Sequence, residues 1–172
     1  PPPSGGGGGG NPTGGGYDTC VSCDTEVLLW EGEWIRADEV VVGDLLTSYD
    51  TKTGELAPTK VKRVITGMST GNYTLHFEDG GSLTCTFSHC IISDDWPKGT
   101  SVRNLAVGDT VKCLVSDKVE DIRIVSIERL STCISVRSYN LDKGRRNFVT
   151  RGKSVGYFNH NSKDSGGGEI VV

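Results

Sequence analysis

The sequence predicts an all-β fold. Short runs rich in β-branched and aromatic residues recur through its middle, turn formers separate them, and apolar residues at helical spacing are nearly absent. The first runs are Glu26–Trp30, Leu45–Tyr49 and Lys60–Thr66, with Thr53-Gly54 marking a turn after the second. Tyr73–Phe77 and Ser82–Phe87 alternate apolar and polar residues, and Asp79-Gly80-Gly81 between them supplies the backbone freedom of a tight hairpin. Thr110–Val115, Ile122–Ile127, Cys133–Tyr139 and Asn147–Thr150 complete the series.

The chain has 172 residues, 35% of them hydrophobic, which fits one domain with a real core. A net charge of −4, with scattered lysines and arginines, provides no basic field for a phosphate backbone, so nucleic acid is not an expected partner. No run of about 18 apolar residues exists for a membrane span. The opening Pro-Pro-Pro-Ser and its glycines lack the charged and apolar regions of a secretory signal. A monomer in the reducing cytoplasm is the expectation. With a core of this size, the six cysteines need not form a disulfide framework.

Composition also divides the chain. Of 24 glycines, nine lie in residues 1–19 and three in residues 162–172, so low-complexity arms flank an ordinary globular centre. Within the centre, Ile35-Arg36 leads to Val41-Val42-Gly43-Asp44-Leu45-Leu46, and Val102-Arg103 leads to Ala106-Val107-Gly108-Asp109-Thr110-Val111. This weak repeat predicts two copies of one β-rich subunit about a pseudo-twofold axis.

Residues able to cut a backbone gather at the boundaries. Cys20 stands where the first arm meets the centre, so its thiol lies one residue past the Thr19 carbonyl and could convert that amide into a thioester. A cysteine of ordinary pKa, about 8.5, is mostly thiol at neutral pH, so the site must either activate the thiol or strain the amide. Thr86 and His89, three apart at the end of a strand, can point into one pocket. His89 suits protonation of the leaving α-amine, and Thr86 suits a hydrogen bond to the scissile carbonyl or to the oxyanion. At the other boundary the chain reads Phe158-Asn159-His160-Asn161-Ser162. The Asn161 side-chain amide can attack its own backbone carbonyl to form a succinimide. His160 can polarise that carbonyl or shuttle the proton, and Ser162 brings a hydroxyl nucleophile.

Taken together, Cys20 with Asp24-Thr25-Glu26-Val27-Leu28-Leu29, Asp79-Gly80 through Thr86 and His89, Ser138-Tyr139-Asn140-Leu141 with Asn147-Phe148, and Phe158 to Ser162 resemble the ordered splicing blocks of inteins. Inteins are a branch of the Hedgehog/intein (Hint) superfamily, and the resemblance covers essentially all of Cys20–Asn161. It implies a Hint-type horseshoe of short strands with pseudo-twofold symmetry. Residues 1–19 and 162–172 become flanking host segments, and residues 20–161 the splicing domain. It further implies an N-to-S acyl shift at Cys20, transfer to Ser162, Asn161 cyclisation and a final O-to-N shift joining Thr19 to Ser162, in a single turnover. The chain's own flanks are the substrate, and no cofactor or metal is implied. No insert long enough for a homing nuclease separates the middle blocks, so DNA cleavage is not expected.

Two positions depart from the family pattern. Asn140 stands where an acidic residue is common and Arg146 where a histidine is, both at positions that coordinate cleavage at the two ends. Arg146 cannot shuttle a proton; it either stabilises an oxyanion or is a solvated arginine beside Arg145. Three rival readings use the same residues differently. A self-cleaving relative would cut without ligating. A zinc module would draw on Cys20, Cys23, His89 and Cys90. A purely structural β domain leaves both junctions unexplained. Cys23 and Cys90 are also candidate disulfide partners that would mask Cys20 until reduced.

Overall fold

The computed structural model describes residues 19–96 and 98–161, and strands dominate them. The N-terminal part contains β1 (Val21–Ser22), β2 (Glu26–Leu28), β3 (Trp34–Arg36), β4 (Leu45–Asp50) and β5 (Glu55–Lys60). Next come β6 (Arg63–Ser69), β7 (Asn72–Phe77), β8 (Ser82–Thr86), β9 (Cys90–Ile91) and β10 (Thr100–Ser101). The chain closes with β11 (Thr110–Val115), β12 (Lys118–Leu130), β13 (Ile134–Asn140), β14 (Asn147–Arg151) and β15 (Gly156–His160). Among the described residues, thirteen strands form one continuous sheet in the order β3-β2-β14-β15-β11-β12-β7-β8-β1-β13-β6, with β9 joining β15 to β10. β4 and β5 pair separately. No helix among these residues is long and apolar enough to cross a membrane.

β12 and β5 are among the strands that depart from the sequence pattern. β12 extends well beyond its apolar centre, because its first half pairs with β11 and its second with β7, with a register shift between Ile124 and Ser126. Ile122 and Ile124 are buried, whereas the outlying Glu120, Asp121, Glu128 and Arg129 face water and break the alternation that marks a strand. β5 is missed because it contains Pro58, which usually argues against a strand. Here β5 has a sheet neighbour on one side only, so the missing N–H costs no ladder on the other.

The Val-Gly-Asp part of the repeat folds twice in the same way, whereas the Ile35-Arg36 and Val102-Arg103 pairs are not equivalent, the first ending β3 and the second opening a 3₁₀ turn. Each copy begins with a short 3₁₀ turn, Ala37–Glu39 or Val102–Asn104. Gly43 and Gly108 then adopt φ of +99° and +98°, backbone that glycine adopts without strain. The Asp44 carboxylate accepts the Val41 N–H at 3.0 Å, and Asp109 accepts the Ala106 N–H at 2.9 Å. Gly43 donates to the Val61 carbonyl and Val61 to that of Asp44; Gly108 and Ile124 exchange the matching pair, Ile124 donating to Asp109. A hairpin follows each copy, β4–β5 after the first and β11–β12 after the second.

The main core lies where alternate residues of β7 and β8, Leu75, Phe77, Leu83 and Cys85, meet Ile124 and Tyr157. A smaller cluster of Ile92, Leu114, Val149 and Phe158 packs against Trp96 and Tyr49. The sheet order decides where the chain's two boundaries fall. β1, which follows Cys20, is held between β8 and β13, while β15, which leads to Asn161, is held between β14 and β11. β15 also pairs with β9, placing Asn159 opposite Ile91 and His160 opposite Cys90. His89 occupies the short link between β8 and β9, against both boundaries.

Candidate active site

At the first junction, Thr19 is 6% exposed and Cys20 fully buried. The reason lies one residue on: Val21 is flanked by Cys85 of β8 and Arg137 of β13, which fixes the start of β1 inside the sheet. Thr86, at the end of β8, engages both backbone groups of Cys20. Its N–H donates to the Cys20 carbonyl at 3.0 Å. Its hydroxyl accepts the Cys20 N–H at 3.2 Å and lies 3.4 Å from that same carbonyl. These contacts hold Thr86 against the nitrogen of the Thr19–Cys20 bond. The Thr19 hydroxyl lies 3.3 Å from that of Ser138.

His89 is fully buried and is positioned by its own backbone, which donates to Thr86 and accepts from Val102. Its Nε2 is 2.7 Å from Asn159 Oδ1. Among the described residues its Nδ1 has no hydrogen-bond partner in good geometry, although the Thr19 backbone lies close enough to act on the ring. Burial pushes the imidazole below its ordinary pKa, while Asn159 and the Thr19 backbone pull it partly back. The ring is therefore neutral at pH 7.

At the second junction, Asn161 is 2% exposed and held from two sides. Its N–H donates to the Arg146 carbonyl at 2.8 Å. Its side-chain amide donates to the Tyr139 carbonyl. His160, 4% exposed, lies opposite Asn147 in β14 and Cys90 in β9. Asn147 fixes that end of β14 by exchanging two bonds, at 2.8 and 3.0 Å, with the Tyr49 backbone. Asn140 is buried at the end of β13, and its carbonyl accepts the Lys62 N–H. Asn140 and Arg146 thus each lie next to, or supply, a carbonyl that holds Asn161. Arg146 is half-buried rather than a fully solvated arginine. Ser162 lies outside the described residues.

The structure brings in residues that the motifs did not single out. Asn159 and Thr150 are both 0% exposed and hydrogen-bonded to each other at 2.9 Å. Asn159 looks like one more strand residue in sequence; only its register against β9 reveals its contact with His89. Cys85 lies beside Cys20, and burial holds its thiol far above the ordinary range. Burial likewise raises Cys23 and Cys90, and pushes Cys113 up to about 11. These four thiols stay protonated at neutral pH. Among the described residues no disulfide joins any of the six cysteines, and no three His, Cys, Asp or Glu side chains come together as metal ligands. The zinc reading has no ligand set there to rest on.

No protein-family model matches the chain, and no curated protein matches it in sequence. Solved structures match it in shape. The Ssp DnaB mini-intein variant M86 superposes with a TM-score of 0.72 at 21% identity, covering 85% of this chain and 96% of its own. The DnaB intein from Synechocystis sp. PCC 6803 gives 0.71 at 20% identity, covering 84% and 99%. A bacterial intein-like domain from Clostridium thermocellum gives 0.67 at 21% identity, covering 83% and 99%. The fold is therefore the Hint fold that the sequence resemblance implied.

Proposed function

We propose that this chain, which has the fold of the mini-inteins, is itself a protein-splicing element that excises residues 20–161 and joins Thr19 to Ser162. One observation carries the reading: His89 lies beside the Thr19 backbone on one side and is bonded on the other to Asn159, in the strand that leads to Asn161. A purely structural domain has no need to bury both boundaries around one neutral imidazole.

The chemistry follows from the contacts. Cys20 Sγ attacks the Thr19 carbonyl carbon while Nδ1 of the neutral His89 takes the thiol proton. As the C–N bond breaks, the same proton passes to the Cys20 nitrogen, which leaves as an amine. That nitrogen already donates to Thr86, whose hydroxyl keeps the departing amine in place. The Ser162 hydroxyl then attacks the thioester, forming an ester and returning the thiol to Cys20. Asn161 Nδ2 next attacks its own carbonyl carbon, expelling the Ser162 amine and closing a succinimide. The Tyr139 carbonyl, by accepting from Nδ2, orients that amide and raises its electron density. His160 and Arg146 are the groups we assign to the developing charge and to the departing amine's proton, and Asn140 to the wall that confines them. An O-to-N shift ends the sequence with the new peptide bond.

Every group comes from one chain, so the reaction is single-turnover and the element acts as a monomer on its own flanks. Cys20 must be reduced, which fits an intracellular setting. Two variants test the reading. Cys20→Ala should abolish thiol-induced cleavage between Thr19 and Cys20, and Asn161→Ala should keep that cleavage while blocking release of a segment beginning at Ser162. Cleavage surviving Cys20→Ala, or a free Ser162 segment from Asn161→Ala, would contradict it.

A further inference from the structure

The hydrogen bonds of Asn159 allow its side chain one orientation. Its Nδ2 donates to the Tyr157 carbonyl at 3.0 Å and to the Thr150 hydroxyl at 2.9 Å. Turning the amide over would set Oδ1 against the Tyr157 oxygen, which can only accept. Oδ1 is therefore the atom 2.7 Å from His89 Nε2. An amide oxygen cannot donate, so Nε2 must carry the hydrogen. In a neutral ring this leaves Nδ1 as a bare lone pair. His89, Asn159 and Thr150 are each 0% exposed, so bulk water does not compete for either ring nitrogen.

We propose that Asn159 is the positioning residue of the N-terminal step: by accepting Nε2–H it locks His89 in the one neutral tautomer whose Nδ1 can take the Cys20 proton. The role assigned to that tautomer rests on the splicing reading above. The tautomer itself does not, and it is measurable in a chain that cannot splice. Asn159 lies on β15, in the strand that leads to Asn161 and opposite Ile91 of β9. The strand carrying the C-terminal junction therefore sets the acid–base group of the N-terminal one. With no acceptor at this position, Nε2–H would be an orphaned buried donor. The ring's single hydrogen would then no longer be held at Nε2 and could move to Nδ1. A ring in that state cannot accept the thiol proton.

The test uses the full chain carrying Cys20→Ala and Asn161→Ala, labelled with ¹⁵N-histidine, and reads the His89 ring nitrogens in long-range ¹H–¹⁵N spectra. The parent should show Nε2–H with Nδ1 bare. Adding Asn159→Leu should shift the ring to Nδ1–H, and Asn159→Asp, which keeps an acceptor, should restore Nε2–H. With Cys20 intact, thiol-induced cleavage should fall roughly 10²-fold for Asn159→Leu and recover for Asn159→Asp. If Asn159→Leu does not fold, Thr150→Val is read in its place: it removes one anchor of the Asn159 amide, and should raise the Nδ1–H population. A parent ring carrying Nδ1–H, or a tautomer unmoved by these variants, overturns the proposal. A parent with the stated tautomer but no thiol-induced cleavage supports the lock and tells instead against splicing.

Discussion

Among the described residues no charged group offsets the burial of His89, so its protonation bears on folding as well as on the proposed chemistry. Its pKa is depressed in the folded chain, so the unfolded state takes up the proton first as pH falls. The neutral ring's contribution to stability is in full force above about 6.5, the ordinary histidine value, and is lost as pH drops from there through the lower folded value. The splicing-incapable Cys20→Ala, Asn161→Ala chain should therefore lose stability between pH 7 and 5 in urea titrations. His89→Gln in that background should flatten the loss. An unchanged slope would mean that His89 is not protonated differently in the two states. In the reactive chain, His89→Ala should slow thioester formation by about 10²–10⁴-fold, the usual range for a positioned acid–base group, as read by thiol-induced cleavage.

At the scale of elements, the C-terminal hairpin is held by a carboxylate far from the reacting bonds. Asp79, in the β7–β8 turn, accepts the Gly81 N–H and the Tyr157 hydroxyl at one oxygen and the Lys153, Ser154 and Val155 N–H groups at the other. Burial alone would raise its pKa, but these donations outweigh burial and hold it below the usual carboxylate range. Its stabilisation is present above about 3.9 and is lost as pH falls through the depressed folded value. Asp79→Asn, which turns an amine toward backbone donors, should cost about 2–3 kcal/mol in urea unfolding at neutral pH. A cost near zero would show that the turn carries no load. Gly99 serves the same region: at φ +70°, a Cβ there would meet His160 Cβ at 3.2 Å and the Ile91 carbonyl at 3.0 Å. Gly99→Ala should therefore displace His160 and slow Asn161 cleavage as well as destabilise the fold. Normal cleavage in a folded Gly99→Ala chain would show that His160 is not held there by contact.

How much of an element was readable follows from what it does. The Asp79-Gly80-Gly81 hairpin was legible because its turn chemistry is local. β15 was not read as a strand, since Gly156–His160 is buried throughout and shows no alternation. Its residues stood out only for their chemistry. Cys20, Thr86, His89, His160 and Asn161 stand out in sequence from reactivity and spacing, and they lie on or next to β1, β8, β9 and β15. Asn159 and Thr150 were not found, because a buried amide on a strand reads as an ordinary polar residue until its register is known.

For the molecule as a whole, the repeat was legible as a turn tripeptide and proves to be an equivalent set of backbone bonds built twice. Gly43 and Gly108 have open space around the missing Cβ and nearly equal φ. Gly43→Ala and Gly108→Ala should thus each cost about 1–3 kcal/mol, from backbone strain alone and by similar amounts. A large difference between them in urea unfolding would break the equivalence. The sheet order, with β1 between β8 and β13 and β15 beside β9, was not legible, because it depends on pairings between residues far apart in sequence. That order sets β15 beside β9 and His89, and the central claim of the proposed function is that the two proposed junctions react in concert to leave a new peptide bond. The direct test is an intact-mass spectrum of freshly made chain under reducing conditions. Splicing breaks no bond with water, so the account predicts residues 20–161 ending in a succinimide, and a joined peptide containing Asp18-Thr19-Ser162-Lys163, with masses summing to that of the uncut chain. Separate arms comprising residues 1–19 and residues 162–172, with water gained at a cut and never a joined peptide, would contradict it.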